Sequence, residues 1–102
     1  MNNSPLPLVL VSHTLPEGWL EILNGRCRMI SGPKDADHLS SELRAYISQA
    51  DGLFTLLTIK VDEDLLSQAA NIKVVSNMAV GFDNIDVAAC TKRGIPVGNT
   101  PG

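Results

Sequence analysis

Two periods of apolar residues alternate along the chain. Short, nearly continuous apolar runs read as strands covered on both faces, and segments with apolar residues three and four apart read as helices. Residues 6–12 (LPLVLVS) form the first run. Residues 16–23 follow as a helix, with Trp19, Leu20 and Leu23 on one side and Pro16 in its first turn. Asn24 and Gly25 close it as a C-cap pair. Residues 26–30 predict a short second strand, ended by Ser31, Gly32 and Pro33. Ser40 or Ser41 then caps a helix running to about residue 50, with Leu43, Tyr46 and Ile47 as its apolar stripe.

The alternation continues. Residues 52–57 (GLFTLL) predict a third strand, and residues 62–70 a helix with Leu65, Leu66 and Ala69 inward. Asp62, Glu63 and Asp64 complement the dipole at the start of that helix. Residues 73–76 predict a fourth strand. Residues 86–93 predict a helix capped by Asn84 or Asp86, with Lys92 and Arg93 in its last turn and Gly94 as its stop. Ile95, Pro96 and Val97 start a fifth strand. Strands alternating with helices in this way predict an α/β fold, a doubly wound parallel sheet of about five strands.

Composition narrows the class. The 102 residues suffice for one domain and one core. Apolar residues make up 44% and charged residues 19%, as in a globular soluble protein. Aromatics are only 4%, so Val, Leu, Ile and Ala must build the core. The net charge of −3 gives no electrostatic reason to expect nucleic acid or an anionic membrane as partner. No apolar run is long enough to span a bilayer, and residues 1–4 lack a basic signal-peptide start, which points to the cytoplasm. Cys27 and Cys90 lie far apart with no metal-binding spacing, and read as small semi-buried thiols. Whether they pair as a disulfide stays open at this level.

In such a sheet, ligands approach the carboxyl ends of the strands. Three segments land there: residues 12–14 (SHT), 57–60 (LTIK) and 77–82 (NMAVGF). The third is the leading candidate. Small residues around Gly81 could present successive backbone N–H groups to an anion. A tight strand-to-helix turn that needs a glycine explains the same residues without any ligand. His13 shows no carboxylate partner in sequence and reads as a surface-loop histidine rather than a catalytic group. His38 lies in a charged loop. Lys60 and the acidic trio at 62–64 read as a solvated helix entrance. Asp83 and Asp86 could pair as carboxylates, but helix capping is the commoner use of aspartate there. The G-x-G-x-x-G, P-loop, G-x-S-x-G and H-E-x-x-H signatures are absent, so the sequence offers no catalytic residue, metal ligand or dinucleotide site of its own.

One ordered stretch carries a family likeness. Residues 74–86 (VVSNMAVGFDNID), then Ala88 and Ala89, residues 92–97 (KRGIPV) and residues 99–102 (NTPG) closely resemble the D-isomer-specific 2-hydroxyacid dehydrogenases. Within that family the likeness is greatest to glyoxylate/hydroxypyruvate reductases. It is strong over residues 51–102, whereas the first fifty residues fit in layout only.

The resemblance implies a flavodoxin-like substrate-binding domain, of which residues 1–102 are the N-terminal part. The NAD(P)-binding domain and a C-terminal return would lie outside this chain, leaving the sheet incomplete at its C-terminal end. It further implies that Val80 and Gly81, with Ala79, give backbone N–H groups to the substrate carboxylate, and that Leu57 and Thr58 line the same cleft. The family's reaction is hydride transfer from NADH or NADPH to the carbonyl carbon of a small 2-oxo acid, such as glyoxylate or hydroxypyruvate. A histidine held by a glutamate protonates the oxygen, and an arginine binds the carboxylate. No residue of this chain matches those three, so the isolated segment is expected to be inactive and to bind no cofactor, and the complete enzyme to be a homodimer through its cofactor domain. Rival readings are another branch of the family (phosphoglycerate or formate dehydrogenase) and a non-catalytic, flavodoxin-like binding module.

Overall fold

The computed structural model describes residues 6–15, 18, 25–56, 58–78 and 83–99. Five strands follow in chain order: β1 (Leu8–Val11), β2 (Arg28–Ser31), β3 (Gly52–Leu56), β4 (Val74–Met78) and β5 (Val97–Asn99). All neighbours pair in parallel, in the order β2-β1-β3-β4-β5. The chain steps outward from β1 to β2, then returns past β1 to β3 and continues to β5. The direction therefore reverses between β1 and β3, the crevice-forming switch point of this topology. The α/β, all-parallel sheet is the architecture expected from the sequence.

Register explains the core. Ile30, Leu10, Leu53, Val75 and Val97 are register partners and form one row across all five strands. Leu10, Leu53 and Val75 are buried members of a single core cluster, with Ile30 and Val97 packed against it. Against this row lie Leu43, Ile47, Leu65, Leu66, Ala89 and Cys90. They come from α1 (Ser41–Arg44), α2 (Glu63–Gln68), α3 (Val87–Lys92) and the turns after α1. The connections holding these helices all step the same way along the sheet, so right-handed crossovers place them on one face. The β1–β2 connection steps the other way. The helix expected at residues 16–23 belongs to that connection and lies outside the described residues, apart from Gly18.

Local chemistry sets the helix ends. Ser40 accepts from the Leu43 N–H, Asp62 from Leu65 and Asp86 from Ala89, so each helix begins on a side-chain cap. Ser40 rather than Ser41, and Asp86 rather than Asn84, are therefore the caps. Gly94 follows α3 with φ of 71°, a conformation that favours glycine. Leu65, Leu66 and Ala69 are buried as expected.

Two expectations need correction. The helix after Ser40 is a single α turn. Beyond it, i−3 hydrogen bonds (Tyr46 to Leu43, Ile47 to Arg44, Gln49 to Tyr46, Ala50 to Ile47) tighten the chain, and Tyr46 swings out of the apolar stripe to the surface. The fourth strand begins at Val74 and runs on to Met78, because its ladder with β3 continues through Asn77 and Met78. Arg93, in the exposed last turn as expected, meets Glu63 with its guanidinium at 2.6 Å, joining the end of α3 to the start of α2. Cys27 and Cys90 are not joined by a disulfide; the first is half-buried and the second buried. Among the described residues no helix is long and apolar enough to cross a membrane.

Candidate functional site

The helix-facing side of the sheet is apolar at its centre and turns polar where the strands end. One step beyond the Leu53–Val75 row come Thr55 and Asn77, again register partners and fully buried. Ser12 and His13, just past β1, are also buried. Buried polar side chains cost free energy unless they are hydrogen-bonded. Here every described buried side-chain nitrogen and oxygen has a partner. Two networks account for them.

The first network closes the switch point. The His13 Nε2 lies 2.8 Å from the Ala36 carbonyl, and its Nδ1 lies 2.7 Å from the Ser12 hydroxyl. A carbonyl only accepts, so Nε2 carries the proton. The Thr58 hydroxyl donates to the same carbonyl at 2.8 Å and lies 3.4 Å from Nε2. Segments leaving β1, β2 and β3 thus meet on one oxygen. The expectation of a surface-loop histidine fails here. Its ring is 6% exposed, because its partners are a neighbouring serine and a main-chain carbonyl 23 residues away. No sequence pattern encodes such a carbonyl partner. Both ring nitrogens are engaged within the fold.

The second network lies at the end of β4. Asn77 Nδ2 donates to Asn84 Oδ1 at 2.9 Å, and Asn84 Nδ2 donates back to Asn77 Oδ1 at 3.0 Å. Thr55 donates to the same Asn77 oxygen at 2.9 Å. The Asn84 amide also reaches the carbonyls of Ile59, at 2.7 Å, and Leu56, at 3.2 Å. Backbone pairing runs alongside: Val61 N–H donates to the Asn84 carbonyl and Asp86 N–H to the Val61 carbonyl, both at 2.8 Å. Sequence reasoning offered Asn84 only as a helix cap and Asn77 only as the first residue of the candidate loop, and so missed their pairing. The signal was available for Asn77, since asparagine is rare in strands and this one continues the alternation set by Val75.

Of the residues singled out from sequence, Thr58 is described, with an exposed position and a hydroxyl turned to Ala36. Leu57, Ala79, Val80 and Gly81 lie outside the described residues; the Asn77–Asn84 pair brackets the last three. Asp83 and Asp86 both line one pocket. Asp86 caps α3, and a shallow pocket beside it is lined by Lys60, Asp62, Asp83 and Asn84 among others. Among the described residues no cluster of histidine, cysteine and carboxylate side chains could hold a metal. The starts of α2 and α3 are already occupied by the carboxylates of Asp62 and Asp86, which would repel a pyrophosphate.

Comparison with known proteins agrees with this fold. Residues 9–102 match the D-isomer specific 2-hydroxyacid dehydrogenase catalytic domain. The chain belongs to that family. A glyoxylate reductase of Thermofilum pendens is 41% identical over 97 residues, covering 94% of this chain and 29% of the relative. A solved structure from Pyrococcus horikoshii OT3 superposes with a TM-score of 0.80 at 31% identity, covering 94% of this chain and 28% of that one. An NADPH-dependent glyoxylate/hydroxypyruvate reductase of Sinorhizobium meliloti, solved with NADP and malonate, gives a TM-score of 0.67 at 27% identity, over 94% of this chain and 28% of that one. The chain therefore spans less than a third of the length of these relatives.

Proposed function

We propose that this chain is the N-terminal part of the substrate-binding domain of a 2-hydroxyacid dehydrogenase, and that the complete protein reduces a small 2-oxo acid such as glyoxylate or hydroxypyruvate with NADH or NADPH. The family match over residues 9–102, with a glyoxylate reductase 41% identical across nearly the whole chain, carries this reading. The chain spans less than a third of the length of its relatives, which supports placing the cofactor domain and the groups that move the proton in other sequence.

The part left to this chain is to bind and orient. Backbone N–H groups at Val80 and Gly81, with Ala79 beside them, take one carboxylate of the substrate. Leu57 and Thr58 form the adjoining wall. Fixing the carboxylate at neutral main-chain donors orients the neighbouring carbonyl without adding a charge of this chain's own. The buried networks flank these segments in the chain, at Asn77 and Asn84 and at Leu56, Thr58 and Ile59. The complete protein forms a homodimer through the cofactor domain and works in the cytoplasm.

The test is a rate measurement on the complete natural protein. Glyoxylate, hydroxypyruvate, pyruvate and phosphohydroxypyruvate are each offered with NADH and with NADPH. Turnover greatest with glyoxylate or hydroxypyruvate supports the reading, and residues 1–102 alone should show none. Preference for phosphohydroxypyruvate would move the protein to another branch of the family. No turnover with any of them would favour a non-catalytic module.

A further inference from the structure

We infer that Asn77 and Asn84 are positioning residues for the substrate-carboxylate turn, an inference that rests on the function proposed above. One node joins the two segments assigned to the substrate. The Asn84 amide bonds across to Asn77, on the far side of residues 79–82, and also to the Leu56 and Ile59 carbonyls, on either side of Leu57 and Thr58.

Plain stability does not call for this arrangement. The chain returning through Asn84 is already held by two backbone hydrogen bonds to Val61 and by an isolated parallel bridge between Val61 and Ile85. An apolar pair could fill the same space without burying two amides, and burying amides is unfavourable unless each donor and acceptor is matched. What the amides add is reciprocity. Each donates to the other, so the last turn of β4 and the start of the return are fixed relative to one another, not merely packed. Thr55 donates to the Asn77 oxygen and extends the clasp into the neighbouring strand. Fixing both flanks of residues 79–82 in this way restricts that segment before substrate arrives, which is where preorganisation contributes most.

The experiment uses the complete natural protein and the variants Asn84→Asp, Asn77→Asp and, as a control at the opposite end of the sheet, Ile47→Ala. Asn84→Asp keeps the shape but replaces the donor group with an oxygen facing three carbonyl oxygens. Its KM for glyoxylate should rise by about tenfold or more, equivalent to about 1.4 kcal/mol. The KM for the nicotinamide cofactor should stay within about twofold. Asn77→Asp still accepts from Asn84 and Thr55, so its effect should be smaller. Ile47→Ala should lower the melting temperature with the glyoxylate KM unchanged. A glyoxylate KM unmoved in Asn84→Asp, with only the melting temperature lowered as in the control, overturns the inference.

Amide hydrogen exchange separates this inference from the function. Asn84→Asp should speed exchange in peptides covering residues 77–84 and 56–61 but not in β1. Uniform or unchanged exchange overturns the clasp even if the protein reduces glyoxylate. Local acceleration in a protein that reduces no 2-oxo acid would keep the clasp, refute the proposed function and remove the substrate role inferred here.

Discussion

His13 and Ala36 are joined by a 2.8 Å hydrogen bond from the imidazole Nε2 to the main-chain carbonyl, across the point where the sheet reverses direction. The same oxygen also receives the Thr58 hydroxyl. One carbonyl therefore gathers the ends of β1 and β3 onto the loop leaving β2. Replacing His13 with Ala should remove a buried ring and leave the Ser12 hydroxyl without its acceptor, costing about 2–4 kcal/mol. Thr58→Val should cost less than about 1 kcal/mol, because the hydroxyl is at the surface and the carbonyl keeps His13. Together the two changes strip the carbonyl of both donors, so the double variant should lose about 1 kcal/mol more than the sum. Urea unfolding of the four proteins measures this; strict additivity would show that the carbonyl is not shared in solution.

Gly32 sits where the chain leaves β2 and passes the end of β1. A Cβ placed there would lie 2.3 Å from the Ser12 carbonyl oxygen, a backbone atom that cannot turn aside. Gly32→Ala should therefore destabilise the fold by about 1–3 kcal/mol through forced backbone movement. Gly98→Ala, with open space around the added carbon, is the matched comparison and should cost far less. Thermal unfolding of both variants separates steric strain from general loss of glycine.

Asp51 gives the fold an acid-range dependence. Its carboxylate accepts the Leu8 N–H at 2.9 Å, at the start of β1, and this bond is the chief reason its pKa lies below the ordinary 3.8; burial opposes the shift, and Lys73 at 3.3 Å adds to it. A lowered native pKa means the stabilisation is present above the unfolded value and is lost as pH falls through the native one. Asp51→Asn should be less stable than the parent by about 1 kcal/mol at pH 7, after allowance for solvent screening. The difference should shrink steadily below about pH 4. Melting temperatures of both proteins from pH 7 to pH 2 test it, and a gap that stays constant would rule it out.

Cys90 is fully buried in α3, and burial, followed by the nearby Asp86 charge, pushes its thiol up from the ordinary range. Thiolate is the reactive form, so Cys90 should resist an aromatic disulfide reagent at pH 8 until the protein is unfolded. Cys27, half-buried beside β2, should react first. Mass spectrometry of the labelled peptides gives the order directly.

Much of the fold is legible in the sequence because its signals are local. The run at Leu8 to Val11 is apolar on both sides and lies inside the sheet. Leu65, Leu66 and Ala69 share a helical face and are buried. Asp86 stands where an N-cap belongs and acts as one. What escapes a linear reading depends on distant partners. His13 is buried by a carbonyl 23 residues on, and Asn77 by an amide across a turn. Tyr46 leaves its expected stripe because the chain tightens from α to i−3 bonding after one turn. The substrate role proposed for residues 79–81 is legible only through family likeness; their small side chains alone read equally well as a tight turn in the sequence.

The central claim is that this turn takes the substrate carboxylate. The most direct test is a crystal structure of the complete protein with a nicotinamide cofactor and oxamate, an unreactive 2-oxo acid analogue. The oxamate carboxylate should lie about 2.7–3.2 Å from the backbone nitrogens of Val80 and Gly81, with Thr58 at the edge of the same cleft. A carboxylate held elsewhere, with those two N–H groups turned away from it, would contradict the account.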